Sequence, residues 1–560
     1  MGMTMNARCG FAAKIKGGFR AGIAMWVVLS AGAEVKARQA PVAPQVQERF
    51  ATQMRPAGGT REACEALRGL RLENTTIEVA GMVDAGNFNV PNSVMPLKNL
   101  PRFCRVIAET RPAIRFEVWL PLEKWTGRFE VVGNGGMAGV ISYSALAGAL
   151  RRGNAAASTD TGHVNQPGEG FDASWSLGPS GARPDLVEDF GHRGLHLTTV
   201  NGKRIIANFY GRAADHAYYF GCSKGGGQGL MEAQRYPADF DGIVAGDPAY
   251  NWTNLYAGAH LYYSQVMLKD PESYIQPAKV KLLADEVNKQ CDAKDGFADG
   301  VVGDPLSCHV DLTELACKTG EDPGACFTPK QIESVKRIWA GAKDENGRVI
   351  FPGLLPGGEA GAGGWSAWVT GSAPRQGTHW KAADSFFRYM VMNDEKYDAL
   401  SFDYDRERDR KMLERLASSV NADNPDLRPF MRRGGKLILF HGLSDPDISP
   451  VNTINFYQRM EDVSGVGTRG FARLFLVPGM QHCGGGPGPD QFDAVAAAER
   501  WVEEGLAPEK IIASHLTHGI ADRSRPLCPY PQVAVYSGSG SAVDAASFVC
   551  RVPGAAVAKK

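Results

Sequence analysis

One stretch limits the fold more than any other. An apolar run, residues 217–220, leads into Gly221-Cys222-Ser223-Lys224-Gly225-Gly226-Gly227 and then into an amphipathic segment, residues 229–236. A strand, a turn crowded with glycine and a helix are what a serine nucleophile on a sharp elbow requires. Only glycine lets two backbones close around a strained residue. A Gly-x-Ser-x-Gly match is weak in a chain with 66 glycines, so the strand before it and the helix after it carry the argument. Ser223 is the candidate nucleophile.

A serine hydroxyl attacks only when a base takes its proton, and the base needs a carboxylate to hold its tautomer. In the α/β-hydrolase arrangement the order along the chain is Ser, acid, His, with the last two on loops after later strands. Residues 436–440 and 473–477 read as buried strands. The first leads into His441-Gly442-Leu443-Ser444-Asp445-Pro446-Asp447 and the second into Pro478-Gly479-Met480-Gln481-His482-Cys483. Of 11 histidines, His482 is the one that follows a late strand within a glycine-rich loop; His441 precedes the acid and reads as structural. Asp445 and Asp447 both satisfy the order, Asp445 lying nearer the strand end. Cys222 adjoins the nucleophile and Cys483 the base, so a triad that closes would bring the two cysteines within reach of a disulfide.

Earlier β-like runs fall at 76–80, 114–120 and 128–132. The last ends in Gly133-Asn134-Gly135-Gly136, where unobstructed amides suit an oxyanion hole and equally suit a simple turn. The sequence predicts an α/β-hydrolase fold split between residues 60–249 and 428–560. Residues 250–427 lose the strand–helix alternation, gain Trp, Tyr, Pro and Gly, and read as a large inserted lid. Within it Asp292, Asp295 and Asp299 fall in an eight-residue loop with glycines, a set suited to calcium and also to a solvated acidic turn.

Residues 1–33 combine Arg8, Lys14, Lys16 and Arg20, a short apolar run and small residues, the pattern of a cleaved export signal; residues 34–59 read as a flexible leader. Outside the signal, Cys9 aside, ten cysteines remain, an even set that suits disulfides in an oxidising compartment. A secreted or periplasmic protein is expected. No later stretch predicts a membrane span. The 61 basic and 61 acidic residues balance, so no field favours nucleic acid or anionic lipid, and a small neutral or weakly charged substrate fits better.

With Gly221-Cys222-Ser223-Lys224-Gly225-Gly226, His441 to Asp445, Gly479 to Cys483 and the 291–301 loop in view, the chain resembles the tannase and feruloyl esterase family, which includes mono(2-hydroxyethyl) terephthalate hydrolase. The likeness runs from about Cys64 to Cys550. It implies a secreted serine esterase acting on esters of aromatic acids through an acyl-enzyme, with the triad Ser223, Asp445 and His482 and an oxyanion hole from the amides of Gly136 and Lys224. It implies a structural calcium on Asp292, Asp295, Asp299 and the carbonyls of Phe297 and Val301. The implied disulfides are Cys64–Cys104, Cys222–Cys483, Cys291–Cys308, Cys317–Cys326 and Cys528–Cys550. Trp368 matches an aromatic that covers the substrate ring. No arginine matches the one that would hold a terephthalate carboxylate; Lys381 and Arg388 are the nearby cations, and feruloyl or galloyl esters fit better. A peptidase or lipase on the same scaffold stays open at this stage, and a binding module that has lost catalysis is disfavoured by the complete Ser, acid and His set.

Overall fold

Alternating burial shows how the strands are used. In the strand Gly242–Gly246, Ile243 and Ala245 pack into one apolar cluster and Val244 into another; in Lys436–Gly442, Leu437 and Leu439 face the first cluster while Ile438 and Phe440 face the second. Strands buried on both faces need helices on both faces, which is the logic of a parallel α/β sheet. The computed structural model describes residues 59–91, 93–165 and 168–553. The expected signal (1–33) and all of the expected leader except Gly59 lie outside the described residues.

Nine strands form the main sheet: β1 (Thr75–Val83), β2 (Phe103–Thr110), β3 (Ile114–Pro121), β4 (Arg128–Val132), β5 (Ala155–Thr159), β6 (His216–Cys222), β7 (Gly242–Gly246), β8 (Lys436–Gly442) and β9 (Ala472–Val477). Their order across the sheet is β1-β2-β3-β5-β4-β6-β7-β8-β9. The first three pairings are antiparallel, and every pairing from β5 to β9 is parallel. The carboxyl ends of β4, β6, β7, β8 and β9 therefore share one edge, where open α/β sheets place their ligands. This is the α/β-hydrolase fold the sequence predicts.

The predicted strands all form. β2, β5 and β7 are additional. The helix expected at 229–236 is α1 (Lys224–Arg235), which starts directly after Ser223. Between β7 and β8 the chain adds no strand to the main sheet. Helices such as α2 (Thr378–Ser385) instead bury Trp365, Phe386, Phe387 and Leu413 in a separate cluster, to which Met137 and Ile448 from the strand-end loops also belong. Beyond β8, α3 (Pro450–Ser464) and α4 (Ala494–Glu504) return the chain to the sheet, and Trp501 of α4 packs with Ile438 and Phe440.

Five disulfides form, in the pairs the resemblance implies: Cys64–Cys104, Cys222–Cys483, Cys291–Cys308, Cys317–Cys326 and Cys528–Cys550. Cys222–Cys483 spans 261 residues of sequence. Among the described residues no helix is long and apolar enough to cross a membrane.

Candidate active site

β6 ends where the backbone turns sharply. Ser223 has φ 62° and ψ −122°, a region that costs a non-glycine residue about 1–3 kcal/mol and is held only where the surroundings over-determine it. Gly221 supplies that close packing, since a Cβ there would lie 2.5 Å from the Tyr219 hydroxyl and 2.7 Å from the Gly225 backbone. The elbow exposes Ser223 in a cavity of about 360 Å³ bordered also by Gly136, Phe171, Trp368, His482 and the Cys222–Cys483 bridge.

The loops after β8 and β9 bring the other two residues together. Nδ1 of His482 lies 2.8 Å from Oδ2 of Asp445. The same oxygen is 3.2 Å from Nε2 of His441, and Oδ1 of Asp445 accepts the amides of Asp447 (2.8 Å) and Ile448 (3.0 Å). Burial alone would raise the Asp445 pKa; His482 and His441 beside it reverse that and hold the carboxyl below its ordinary value. His441 is thus a brace for the acid, as its place in the sequence suggests. Asp445 is the aspartate on the far nitrogen of His482, the position a triad requires. Asp447 instead lies 3.4 Å from Nε2. The Ser223 hydroxyl makes no hydrogen bond to His482 or to any other described residue, although both border one cavity.

Asp247, which sequence reasoning missed, ties these loops to the elbow. It follows β7 directly, is fully buried, and accepts the amides of Gly442 (2.7 Å) and Cys483 (2.9 Å). Burial pushes its pKa up to about 6 against the pull of His441. The available signal was an aspartate at the very end of a buried strand, Gly246-Asp247-Pro248.

The two expected oxyanion donors, Gly136 and Lys224, lie at the cavity wall and directly after Ser223. Lys224 opens α1, so its amide has no carbonyl in the preceding turn of helix. Gly136 has φ 53°, and a Cβ there would lie 2.1 Å from the Gly170 carbonyl oxygen. Neither amide donates to another described residue. The Lys224 side chain points into an aromatic box, with Nζ 3.8 Å from the Phe190 ring centre and 5.0 Å from that of Trp252; burial lowers its pKa to about 7.

Trp368 stands edge-on to His482, with ring centres 5.1 Å apart, and edge-on to Phe171 at 6.0 Å. Phe171 carried no motif that marked it out. Neither Lys381 nor Arg388 borders the cavity. Lys381 is exposed, and Arg388 pairs with Asp384 and donates to the Glu395 carbonyl.

A family model described as tannase and feruloyl esterase matches residues 98–551. The chain belongs to this tannase and feruloyl esterase family. As a member of that family it is a carboxylic ester hydrolase. It is 38% identical to an uncharacterized esterase of Xanthomonas campestris pv. campestris, over 87% of this chain and 91% of that protein. It is 33% identical to mono(2-hydroxyethyl) terephthalate hydrolase of Piscinibacter sakaiensis, over 88% and 92%. Among solved structures, feruloyl esterase B from Aspergillus oryzae superposes with a TM-score of 0.78 at 29% identity, over 88% of this chain and all of that one.

The acidic loop of this family member lies away from the cavity. Asp292 accepts the amides of Asp299 and Gly300, Asp295 that of Phe297, and Asp299 that of Val301. Arg525 donates to Asp299 Oδ2 at 3.1 Å. The carbonyls of Phe297 and Val301 accept no hydrogen bond from a described residue. Partial burial of its carboxyl, with Asp299 and Asp292 nearby, raises the pKa of Asp295. Hard oxygen donors, two free carbonyls and mutual repulsion among carboxylates fit a calcium ion. Two further clusters of imidazole and carboxylate side chains converge, His196 with Glu232 and Asp239, and His260 with His379 and Asp447.

Proposed function

We propose that this esterase is exported and hydrolyses esters of aromatic acids, feruloyl or galloyl rather than terephthaloyl, through an acyl-enzyme. Ser223 attacks the ester carbonyl while Nε2 of His482 takes its proton; the imidazolium then hands that proton to the leaving alcohol, and water repeats the sequence to free the acid. Asp445 holds the tautomer through Nδ1. The amides of Gly136 and Lys224 receive the oxyanion, each such donor contributing about 10²–10³ in rate. Trp368 and Phe171 flank the space left for the acyl ring.

The observation that carries this reading is the cavity itself. It joins Ser223 and His482 to two aromatic rings and, among the described residues, has no lysine or arginine along its wall. A free carboxylate on the acyl ring would find no partner there, whereas a phenolic ring buries apolar surface at little cost. Five disulfides support export, since such bonds persist in oxidising compartments. The segment 250–427 serves as the lid, because it contributes Trp368 to the cavity wall. Asp292, Asp295, Asp299 and the carbonyls of Phe297 and Val301 would hold a calcium ion, which would stabilise that loop away from the catalytic cavity.

Comparing kcat/KM on methyl ferulate, methyl gallate and a terephthalate monoester tests the substrate class. The first two should be turned over faster than the third. A preference for the terephthalate ester overturns the acyl assignment, and cleavage of peptides or triglycerides with none of the three hydrolysed overturns the aromatic-ester reading altogether.

A further inference from the structure

The catalytic imidazole is gripped from both ends. Asp445 binds Nδ1, and Oδ2 of Asp447 lies 3.4 Å from Nε2, the nitrogen that must receive the Ser223 proton. The Ser223 hydroxyl, meanwhile, is unengaged. Asp447 is itself held on its other side: Oδ1 lies 2.8 Å from Nε2 of His260 and 3.2 Å from Nε2 of His379. Those two rings stack with centres 4.6 Å apart, and none of the three side chains is more than 3% exposed. Both histidines come from the segment between β7 and β8. His260 lies in the helical turn Tyr256–Leu261, and His379 in α2, 6.2 Å from the Trp368 ring.

The groups facing His482 are the carboxylates of Asp445, Asp447 and Asp247, with His441 behind Asp445 and the two lid histidines behind Asp447. Burial pushes the His482 pKa down, and the carboxylates, Asp445 first and Asp447 next, push it up further, to about 10. The same contacts hold Asp447 well below the carboxylate range despite its burial, while burial lowers His379 to about 4, so that ring stays neutral. A carboxylate beside each ring nitrogen favours the protonated imidazole, and a protonated Nε2 cannot act as a base.

The geometry points to Asp447 as a positioning residue for the base: its Oδ2, 3.4 Å from Nε2, competes with Ser223 for that nitrogen, and the stacked lid histidines hold the carboxylate there through Oδ1. This rests on the esterase reading. For the serine to react, the Nε2 proton leaves to solvent, which frees the nitrogen to accept the Ser223 proton. The lid therefore acts on chemistry through the buried carboxylate it holds beside Nε2 as well as through the ring it adds to the cavity. Asp447 was the less favoured of two candidate acids in the sequence, and the structure gives it a different place, on the opposite nitrogen.

The test is the pH dependence of kcat/KM for a neutral aromatic ester from about pH 5 to about pH 10, whose acid limb reports the free-enzyme base. In the unaltered enzyme that limb should lie above the ordinary imidazole value of about 6.5. Asp447→Asn should move it down by about 1–3 pH units, the usual effect of an opposite charge at this range, and so raise kcat/KM near neutrality. Asp447→Ser removes the same charge and should move the limb the same way; it serves where the Asn variant does not fold. A uniform drop at every pH with the limb unmoved would mean that Asp447 is only structural, and overturns the proposal. So does an unaltered enzyme whose limb lies at or below about 6.5, whatever the variants do. No ester turnover by the unaltered protein sinks the esterase reading and this proposal together, an outcome distinct from turnover with an unmoved limb.

Discussion

Two trios of aspartates lie in this molecule, and they manage their charge in opposite ways. Asp247, Asp445 and Asp447 are each no more than 2% exposed, and each is met by groups of the chain itself: His441 and His482 at Asp445, His260 and His379 at Asp447, and two backbone amides at Asp247. Asp292, Asp295 and Asp299 lie nearer solvent, and most of their partners are amides of their own loop, with Arg525 and Arg523 reaching Asp299 and, among the described residues, no cation hydrogen-bonded to Asp292 or Asp295. A buried carboxylate without compensation would take up a proton. Asp445 and Asp447 keep their charge because imidazoles share it, which is the condition for orienting a base, while burial raises the pKa of Asp247 against its two amides. The outer trio is left with repulsion that a bound cation would relieve. The chain completes the first set, and the second calls for a ligand.

If the contrast is right, damage to the inner set should appear in activity and damage to the outer set in stability. The largest effect is expected from Ser223→Ala, which removes the group that the inner set serves. Its kcat should fall by about 10⁶ with the melting temperature nearly unchanged, because alanine keeps the backbone at φ 62° and the lost hydroxyl makes no hydrogen bond to a described residue. Full activity would take Ser223 out of the mechanism. A smaller effect that touches both properties is expected from replacing Cys222 and Cys483 together by Ala, since that bridge joins the elbow to the histidine loop. Stability should fall by about 2–5 kcal/mol and turnover by up to about 10²-fold as the base loses its placement. Calorimetry and steady-state rates that both remain at the unaltered values would argue against the tether.

The sequence made the chemistry more legible than its setting. Strands such as Lys436–Gly442 announce themselves by a run of large apolar residues, and the order Ser223, Asp445, His482 follows from where such strands end. β5 and β7 do not. Ala-Ala-Ala-Ser-Thr and Gly-Ile-Val-Ala-Gly have little intrinsic β preference and are strands because neighbours on both sides bury them. Asp247 was hidden for a related reason, as its partners Gly442 and Cys483 lie 195 and 236 residues away. The choice between Asp445 and Asp447 also lay beyond spacing. Both sit on one loop, and only the fold decides which nitrogen of His482 each one meets. His260 and His379 lie in the part of the chain where periodicity gave the least guidance, and they matter only through a carboxylate 187 and 68 residues distant.

The smallest effect on turnover should come from the outer trio. If calcium fills this loop, a chelator should leave kcat for a soluble ester nearly unchanged and lower the melting temperature. A site filled at about 100 times its dissociation constant contributes about 2.7 kcal/mol, which for a chain of this size corresponds to a shift of about 2–3 °C. The sign of the pH dependence follows from Asp295. Its folded pKa is raised by burial and by Asp299 and Asp292, so without the cation its charge costs stability above that pKa, and protonation relieves the cost as pH falls. With the cation bound the carboxylate is compensated, and that stabilisation is lost as protons compete for the oxygens. The gap between melting temperatures with calcium and with chelator should therefore be widest at neutral to alkaline pH and should close toward about pH 4, the ordinary carboxylate range. Asp295→Asn should narrow the gap at every pH. A melting temperature indifferent to chelator at neutral pH would leave the outer trio as a solvated acidic turn, and the contrast with the inner trio would then be one of burial alone.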